Sequence, residues 1–287
     1  MRVHCEGCAG CCIDWRSIAP DSFDDHERHG SRQPLDDAYN LVPLTREDAR
    51  AFLDAGFADA LTPRLWRVEE GSSVEVDGVR LAAVDGKPVF FLGIRKPPKP
   101  VAPFGRDRAD WLPTCVFLDP ATLQCRIHGE AVYPTECADY PGHNLELDAR
   151  TECERVEDSF GGDRLLDTEP PEGASQLLLG PQALGERVFV HPDPERLAGV
   201  VARVKDGDLT PADRAEFVAA AAAGQPGTTG TNPETFERTF DLAREASSWA
   251  GAAVDEWERR ATTEAPDPAL AADVEGDRGA PGTSGWN

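Results

Sequence analysis

Eight cysteines in two groups carry the chemistry open to this chain. Cys5, Cys8, Cys11 and Cys12 form a C-x-x-C-x-x-C-C run, and Cys115, Cys125, Cys137 and Cys153 follow much later. A C-x-x-C step turns two thiolates toward one ion, and Gly7 and Gly10 relax the backbone between them. Adjacent cysteines tend to diverge, so Cys11 and Cys12 are expected not to share an ion. Three thiolates of the run can then serve one site. Its fourth must come from Cys115, Cys125, Cys137 or Cys153, because the chain between 12 and 115 has no cysteine. The left-over adjacent cysteine joins a second site, which makes all eight candidate metal and cofactor ligands. Thiolate sulfur suits zinc and iron–sulfur clusters alike. Three closely spaced cysteines with a remote fourth fit iron–sulfur ligation, and C-x-x-C steps from two places fit zinc. Successive C-x-x-C steps wrap a cubane more naturally than one ion. The expected cofactor is therefore an iron–sulfur cluster of the 4Fe-4S kind, with zinc as the alternative. Eight thiolates on an acidic chain need cations to sit together, which makes the metal part of folding.

The run resembles the N-terminus of the YkgJ family, described as a zinc- or iron-chelating domain. The second group extends the resemblance through Cys115-Val-Phe-Leu, Cys125-Arg-Ile, Pro134-x-x-Cys137-x-x-Tyr140-Pro141 and the trailing Cys153. All eight cysteines fall on matching positions over roughly residues 5–153. The resemblance takes in the domain of flagellin lysine methylases, where an iron–sulfur cluster is implied. Three positions depart from the pattern: His128 replaces Tyr, Tyr133 replaces the Arg before Pro134, and Ala138 replaces the Arg after Cys137. The two arginines would have put cationic donors near the site.

His4 flanks Cys5, and Cys125-x-x-His128 has a spacing that could add an imidazole to the same metal. Eight thiolates already suffice for two sites, so both are expected as outer or surface residues. His143 is expected in a loop, and His26, His29 and His191 exposed. The phosphate-loop, dinucleotide, zinc-protease and nucleophile-elbow motifs are absent, as is the C-x-x-x-C-x-x-C spacing of radical S-adenosylmethionine enzymes. The tryptophans at 15, 66, 111, 249, 257 and 286 read as core or cluster shielding. Two functions follow. One is an iron–sulfur oxidoreductase or transferase meeting a redox or substrate partner. The other is a non-catalytic zinc module with a structural or metal-handling role.

The chain has 287 residues, 29 basic against 52 acidic, for a net charge of −23. Only four residues are lysine: Lys87, Lys96, Lys99 and Lys205. Spread acidity with little lysine reads as a halophilic surface, since molar salt shrinks the Debye length to about 3 Å. The charge argues against nucleic acid as a partner. No signal peptide or long apolar run is visible, so no membrane span and a cytoplasmic location are expected. There, clustered cysteines mean metal or redox chemistry more often than disulfides.

The elements that must position the cysteines read as α+β. Residues 13–40 read as an irregular loop. Thr45 caps a helix carrying Ala49, Phe52 and Leu53 on its apolar face. Period-2 runs at 65–68, 74–76, 79–82 and 89–94, with Asp77-Gly78 and Asp85-Gly86 turns, predict an antiparallel meander. The Pro-rich 95–106 reads as a loop and as the one locally basic stretch, able to face an acidic substrate or partner. Residues 111–153 suggest loops and short turns, and a short strand is expected at 188–190. Helices are expected from Asp193 to Val204, from Thr210 to Ala223 and from Asn232 to about Thr262, with a flexible connector at Gly224–Gly230. The expected division is a cysteine-cluster domain at 1–160, a helical region at 161–262 and a disordered acidic tail at 263–287.

Overall fold

The computed structural model describes residues 2–23, 32–169 and 180–285. The expectations for His26, His29 and Trp286 lie outside the described residues. The strands are β1 (Arg2–Val3), β2 (Arg32–Pro34), β3 (Leu61–Val68), β4 (Ser73–Val76), β5 (Val79–Val84), β6 (Lys87–Ile94), β7 (Pro98–Val101), β8 (Asp110–Pro113), β9 (Leu165–Asp167) and β10 (Phe189–Val190). Both Asp-Gly pairs are left-handed, with φ of 51° and 76° at Asp77 and Gly78 and of 51° and 71° at Asp85 and Gly86. That conformation matches the strand twist across a two-residue hairpin, so β4, β5 and β6 form a meander. β3 does not extend it in sequence order. It pairs antiparallel with β6 from Leu61↔Ile94 to Leu65↔Phe90 and meets β5 at Arg67↔Leu81. β10 borders β6, and β2 borders β3.

The stretch expected as a Pro-rich loop contains β7, which pairs with β8. Pro98 and Pro100 fit there because this is a two-stranded ribbon, where one edge needs no amide donor.

The helices are α1 (Arg46–Asp54), α2 (Thr135–Asp139), α3 (Gly142–Glu146), α4 (Glu152–Phe160), α5 (Val200–Asp206), α6 (Pro211–Ala223), α7 (Pro233–Glu245), α8 (Trp249–Ala261) and α9 (Ala271–Val274). The chain is α+β, with small antiparallel sheets. Thr45 and Thr210 cap α1 and α6 through reciprocal bonds with Asp48 and Asp213, as their spacing predicts. α6 is buried almost all round and packs on the sheet through Phe217, whose ring meets Phe90 at 5.1 Å.

Two predicted helices are broken. The first turns left-handed at Gly199, with φ 75°, between a 3-10 turn at Pro194–Leu197 and α5. The second stops after Glu245 and restarts after Ser248. There the Ser248 hydroxyl accepts from the Gly251 amide and donates to Asp59, which also accepts from the Ser248 amide at 2.7 Å. A serine offered two such partners caps a new helix better than it continues an old one. A methyl group on Gly251 would overlap the Asp59 carboxylate. Gly251→Ala is therefore expected to destabilise the protein by about 1–3 kcal/mol despite its better helix propensity. A urea denaturation midpoint at or above wild type would contradict this. The connector at 224–230 is an ordered turn, closed by a Gly224↔Thr231 bridge and a bond from the Gln225 amide to the Gly230 carbonyl at 3.0 Å.

One core runs from Leu44 to Val254 and contains both sheet and helix residues. The expected boundary near 160 therefore crosses a shared interior. The expected disordered tail is also corrected over its described part. α9 buries Ala271 and Val274 against Trp257. Glu275 is fully buried, ion-paired with Lys99, and accepts from Arg126 Nε at 2.8 Å and Trp257 Nε1 at 3.0 Å. Few apolar residues hold this segment, so periodicity could not reveal it. Among the described residues, no helix is long and apolar enough to cross a membrane.

Candidate functional site

The N-terminal run is two tight turns. Gly7 and Ala9 take left-handed φ of 64° and 52°, and the amides of Cys8 and Cys12 bond the carbonyls of Cys5 and Ala9 at 3.0 and 2.9 Å. A Cβ on Gly10 would come within 2.7 Å of Val156 on α4, so the run lies close on the helix that carries Cys153. On the other side the chain is stitched to the end of β8. The Asp14 amide bonds the Pro113 carbonyl at 2.7 Å, and the Cys115 amide bonds the Cys12 carbonyl at 2.9 Å. Cys125 stands across a tight loop from Leu118, and Cys137 lies on α2. Asp48 of α1 accepts from the Thr135 amide and hydroxyl, at 3.2 and 3.0 Å, and so anchors the start of α2 as well as its own helix.

The two cysteine groups meet in space. All eight thiols are free. Cys12 lies within charge-coupling range of Cys115, Cys125 and Cys137, and Cys153 within that range of Cys11, Cys8 and Cys5. Cys11 and Cys12 bridge the two sets with sulfurs 3.9 Å apart. The expected divergence of that adjacent pair is therefore small. The 3-10 turn at Gly10–Cys12 brings both thiols inward. Among the described residues, no three histidine, cysteine, aspartate or glutamate side chains are already arranged to hold a metal ion. The thiols are gathered in one region without being closed onto a centre.

Burial is the main reason the thiols hold their protons. It pushes Cys5 up to about 11 and Cys8 and Cys125 up to about 12, and their thiol neighbours add to the shift. Cys115, Cys137 and Cys153 are also raised, burial first. The Cys11 thiol is raised by its bond with Cys12 and then by burial. Several contacts oppose the trend, among them the Cys11 bond on Cys12 and the charges of Lys96, Lys99 and Arg164. Backbone amides two residues on bond Cys8 (from Gly10), Cys115 (from Phe117) and Cys125 (from Ile127). An N–H aimed at sulfur favours the thiolate, the form that binds metal.

Lys96 is one of three cations that act on the thiols, with Lys99 and Arg164. It donates to the Tyr39 carbonyl at 2.8 Å and couples to Cys12, Cys115 and Cys11. Burial pulls its ammonium below the ordinary lysine value, and the thiols push the other way. Nothing local in sequence marked it, since Lys96 is far from either cysteine group along the chain.

Glu152 also went unread in the sequence. Its buried carboxylate accepts from Trp15 Nε1 at 2.5 Å and the Tyr39 hydroxyl at 2.9 Å, and its charge disfavours ionisation of Cys11. Trp15 is fully buried among Phe23, Tyr39, Phe104 and Phe160, as a core residue.

The described histidines have partners other than the thiols. His4 is half exposed beside Glu6, and His128 is exposed with its ring 4.9 Å from Tyr133. His143 is buried on α3, 3.5 Å from Glu136, rather than in a loop. His191, expected exposed, is fully buried. It lies 3.2 Å from Glu216 and against Phe217, because α6 covers the edge on which it sits.

The family model described as a family of unknown function (DUF7531) matches residues 1–287, and the chain belongs to that family. No curated protein and no solved structure matches it.

Proposed function

We propose, for this member of a family without an assigned role, that the eight cysteines bind metal in two thiolate sites and that the protein is an iron–sulfur oxidoreductase or transferase. The observation that carries this is the convergence of eight free thiols, from segments a hundred residues apart, on the Cys11–Cys12 pair. Cys11 couples to thiols of both groups, and Cys12 to Cys115, Cys125 and Cys137. We assign Cys5, Cys8, Cys11 and Cys153 to one site and Cys12, Cys115, Cys125 and Cys137 to the other. The donor chemistry fits: all-sulfur, amide-supported at three positions, with Lys96, Lys99 and Arg164 as neighbouring cations. The YkgJ-like spacing agrees. Bound there, an iron–sulfur cluster would supply one-electron transfer. A cytoplasmic setting, where thiols stay reduced, suits the reading.

Zinc is the second reading. Amide-to-sulfur bonds two residues on serve a single tetrahedral ion as well as a cluster, and a zinc centre would make this a structural or metal-handling module.

Purification under anaerobic conditions, with iron, zinc and sulfide analysis and a visible spectrum, separates the two. We expect a brown protein with iron and sulfide, and loss of about half the metal in Cys12→Ser and in Cys153→Ser. A colourless zinc protein would replace the redox reading with the second one. Reduced protein without stoichiometric metal would remove both.

A further inference from the structure

Lys99 lies on β7, opposite Leu112 of β8, with none of its surface exposed. A lysine is almost never fully buried unless it is paired, and Glu275 supplies the counter-charge. The ammonium also donates to the Val116 and Leu118 carbonyls at 2.6 and 2.7 Å. Those carbonyls belong to the turn that follows Cys115. The Leu118 amide closes that turn on the Cys115 carbonyl at 2.9 Å, and the Arg126 amide pins the Phe117 carbonyl at 2.8 Å. Val116, Phe117 and Leu118 are all buried, so carbonyls turned inward there need a donor from the interior.

A neutral donor would satisfy them. What a cation adds follows from covalent geometry. The Val116 carbonyl and the Phe117 N–H are the two ends of one planar peptide group. Lys99 holds the carbonyl end, and the N–H end bonds the Cys115 sulfur. A charge on the oxygen makes the N–H a stronger donor, because hydrogen bonds in series polarise one another. Cys125 has no such link. Its amide bond comes from Ile127, whose peptide carbonyl, that of Arg126, is not among the groups Lys99 holds. The charge of Lys99 acts on that sulfur through space only.

We propose that Lys99 is a positioning residue for the Cys115 sulfur, aiming the Phe117 N–H at it and strengthening that bond through the Val116–Phe117 peptide. The inference rests on the metal reading where it takes this sulfur for a ligand. An N–H directed at a ligating sulfur fixes its orientation and favours the thiolate. The chain then reaches the sulfur by a route that begins on a different strand and passes through one peptide.

The test compares Glu275→Gln, which keeps Lys99, with Lys99→Met/Glu275→Gln, which removes cation and counter-charge together. Amide hydrogen exchange is followed by NMR on the reduced metal-free protein and on the cadmium-loaded protein, and the cadmium resonances are recorded on the second. We expect the Phe117 amide to exchange on the order of tenfold faster in the double variant than in Glu275→Gln. The Ile127 and Gly10 amides, which face Cys125 and Cys8, should change far less. In the loaded protein the cadmium line coupled to the Cys115 β-protons should shift, and the line of the other site should stay. Lys99→Gln/Glu275→Gln returns an uncharged donor to the same place and should give part of the effect. It also serves as the second variant should the methionine protein not fold. Equal Phe117 exchange in the compared proteins would overturn the proposal, as would an unmoved Cys115-coupled line. An equal rise at Phe117, Ile127 and Gly10 would overturn it too, as general loosening. A protein that holds no cadmium would remove the metal reading, and exchange on the metal-free protein would still decide whether Lys99 holds the Phe117 amide.

Discussion

A chain ended at Glu264 should melt on the order of 10 °C lower than the full chain and should lose metal. Lys99 is fully buried, with its ammonium on the Val116 and Leu118 carbonyls at 2.6 and 2.7 Å and on Glu275. Removing Glu275 leaves that charge with neutral partners only, and an uncompensated buried charge costs about 3–5 kcal/mol. Arg126 loses the same carboxylate and keeps only Asp119, at 3.0 Å. The strap also grips the loop before Cys125. Thr283 bonds Thr122 at 2.7 Å, and Gln124 donates to the Gly285 carbonyl at 2.7 Å. These contacts flank Cys125, so their loss loosens a proposed ligand and not only a surface. Glu275→Gln keeps the shape and removes the charge, and it should show a smaller loss of the same sign. Thermal melts with metal analysis on both proteins decide the matter. An unchanged melting temperature in both would show that the strap is dispensable.

Metal affinity should climb by several orders of magnitude per pH unit, and the climb should continue above pH 9. Metal binds thiolate, so below the thiol pKa each ligand gives up one proton on binding. Log K then rises by about one per thiol per pH unit, or about four for a four-thiolate site. An ordinary cysteine would stop contributing near its unperturbed value of about 8.5. Burial moves Cys8 and Cys125 up to about 12, so these go on contributing well above it. The sign is fixed: raised thiol values weaken binding at neutral pH and give it back as pH rises. Zinc competition against a chelator of known proton dependence, at pH 7, 8 and 9 on reduced metal-free protein, reads the slope. A slope of one or less per unit, or a plateau by pH 8, would mean that few of these thiols bind metal. Proton release measured in weak buffer gives the ligand count independently.

The sequence by itself determined the local features. Thr45, Thr210 and Asn232 each start the helix expected of them, because a cap is decided by a side chain and amides two or three residues away. The Asp-Gly pairs turn as expected, because their left-handed backbone is a property of those two residues. The cysteine spacing marked all eight candidate thiols. What depended on distant partners could not be read. α7 and α8 separate because Asp59, from another part of the chain, supplies a bond to Ser248 that sequence periodicity does not contain. His191 is buried because α6 lies over it. The tail is held by Lys99 and Arg126 rather than by its own apolar residues, and a buried ion pair leaves no periodic trace in either segment. Lys96 reaches the thiols only because β6 and β7 bring the residues between them alongside Tyr39 and Cys12. The tertiary structure alone decided that the two cysteine groups meet, with the Cys115 amide on the Cys12 carbonyl. Ligand spacing limits which cysteines can meet, but packing over long loops selects which of them do.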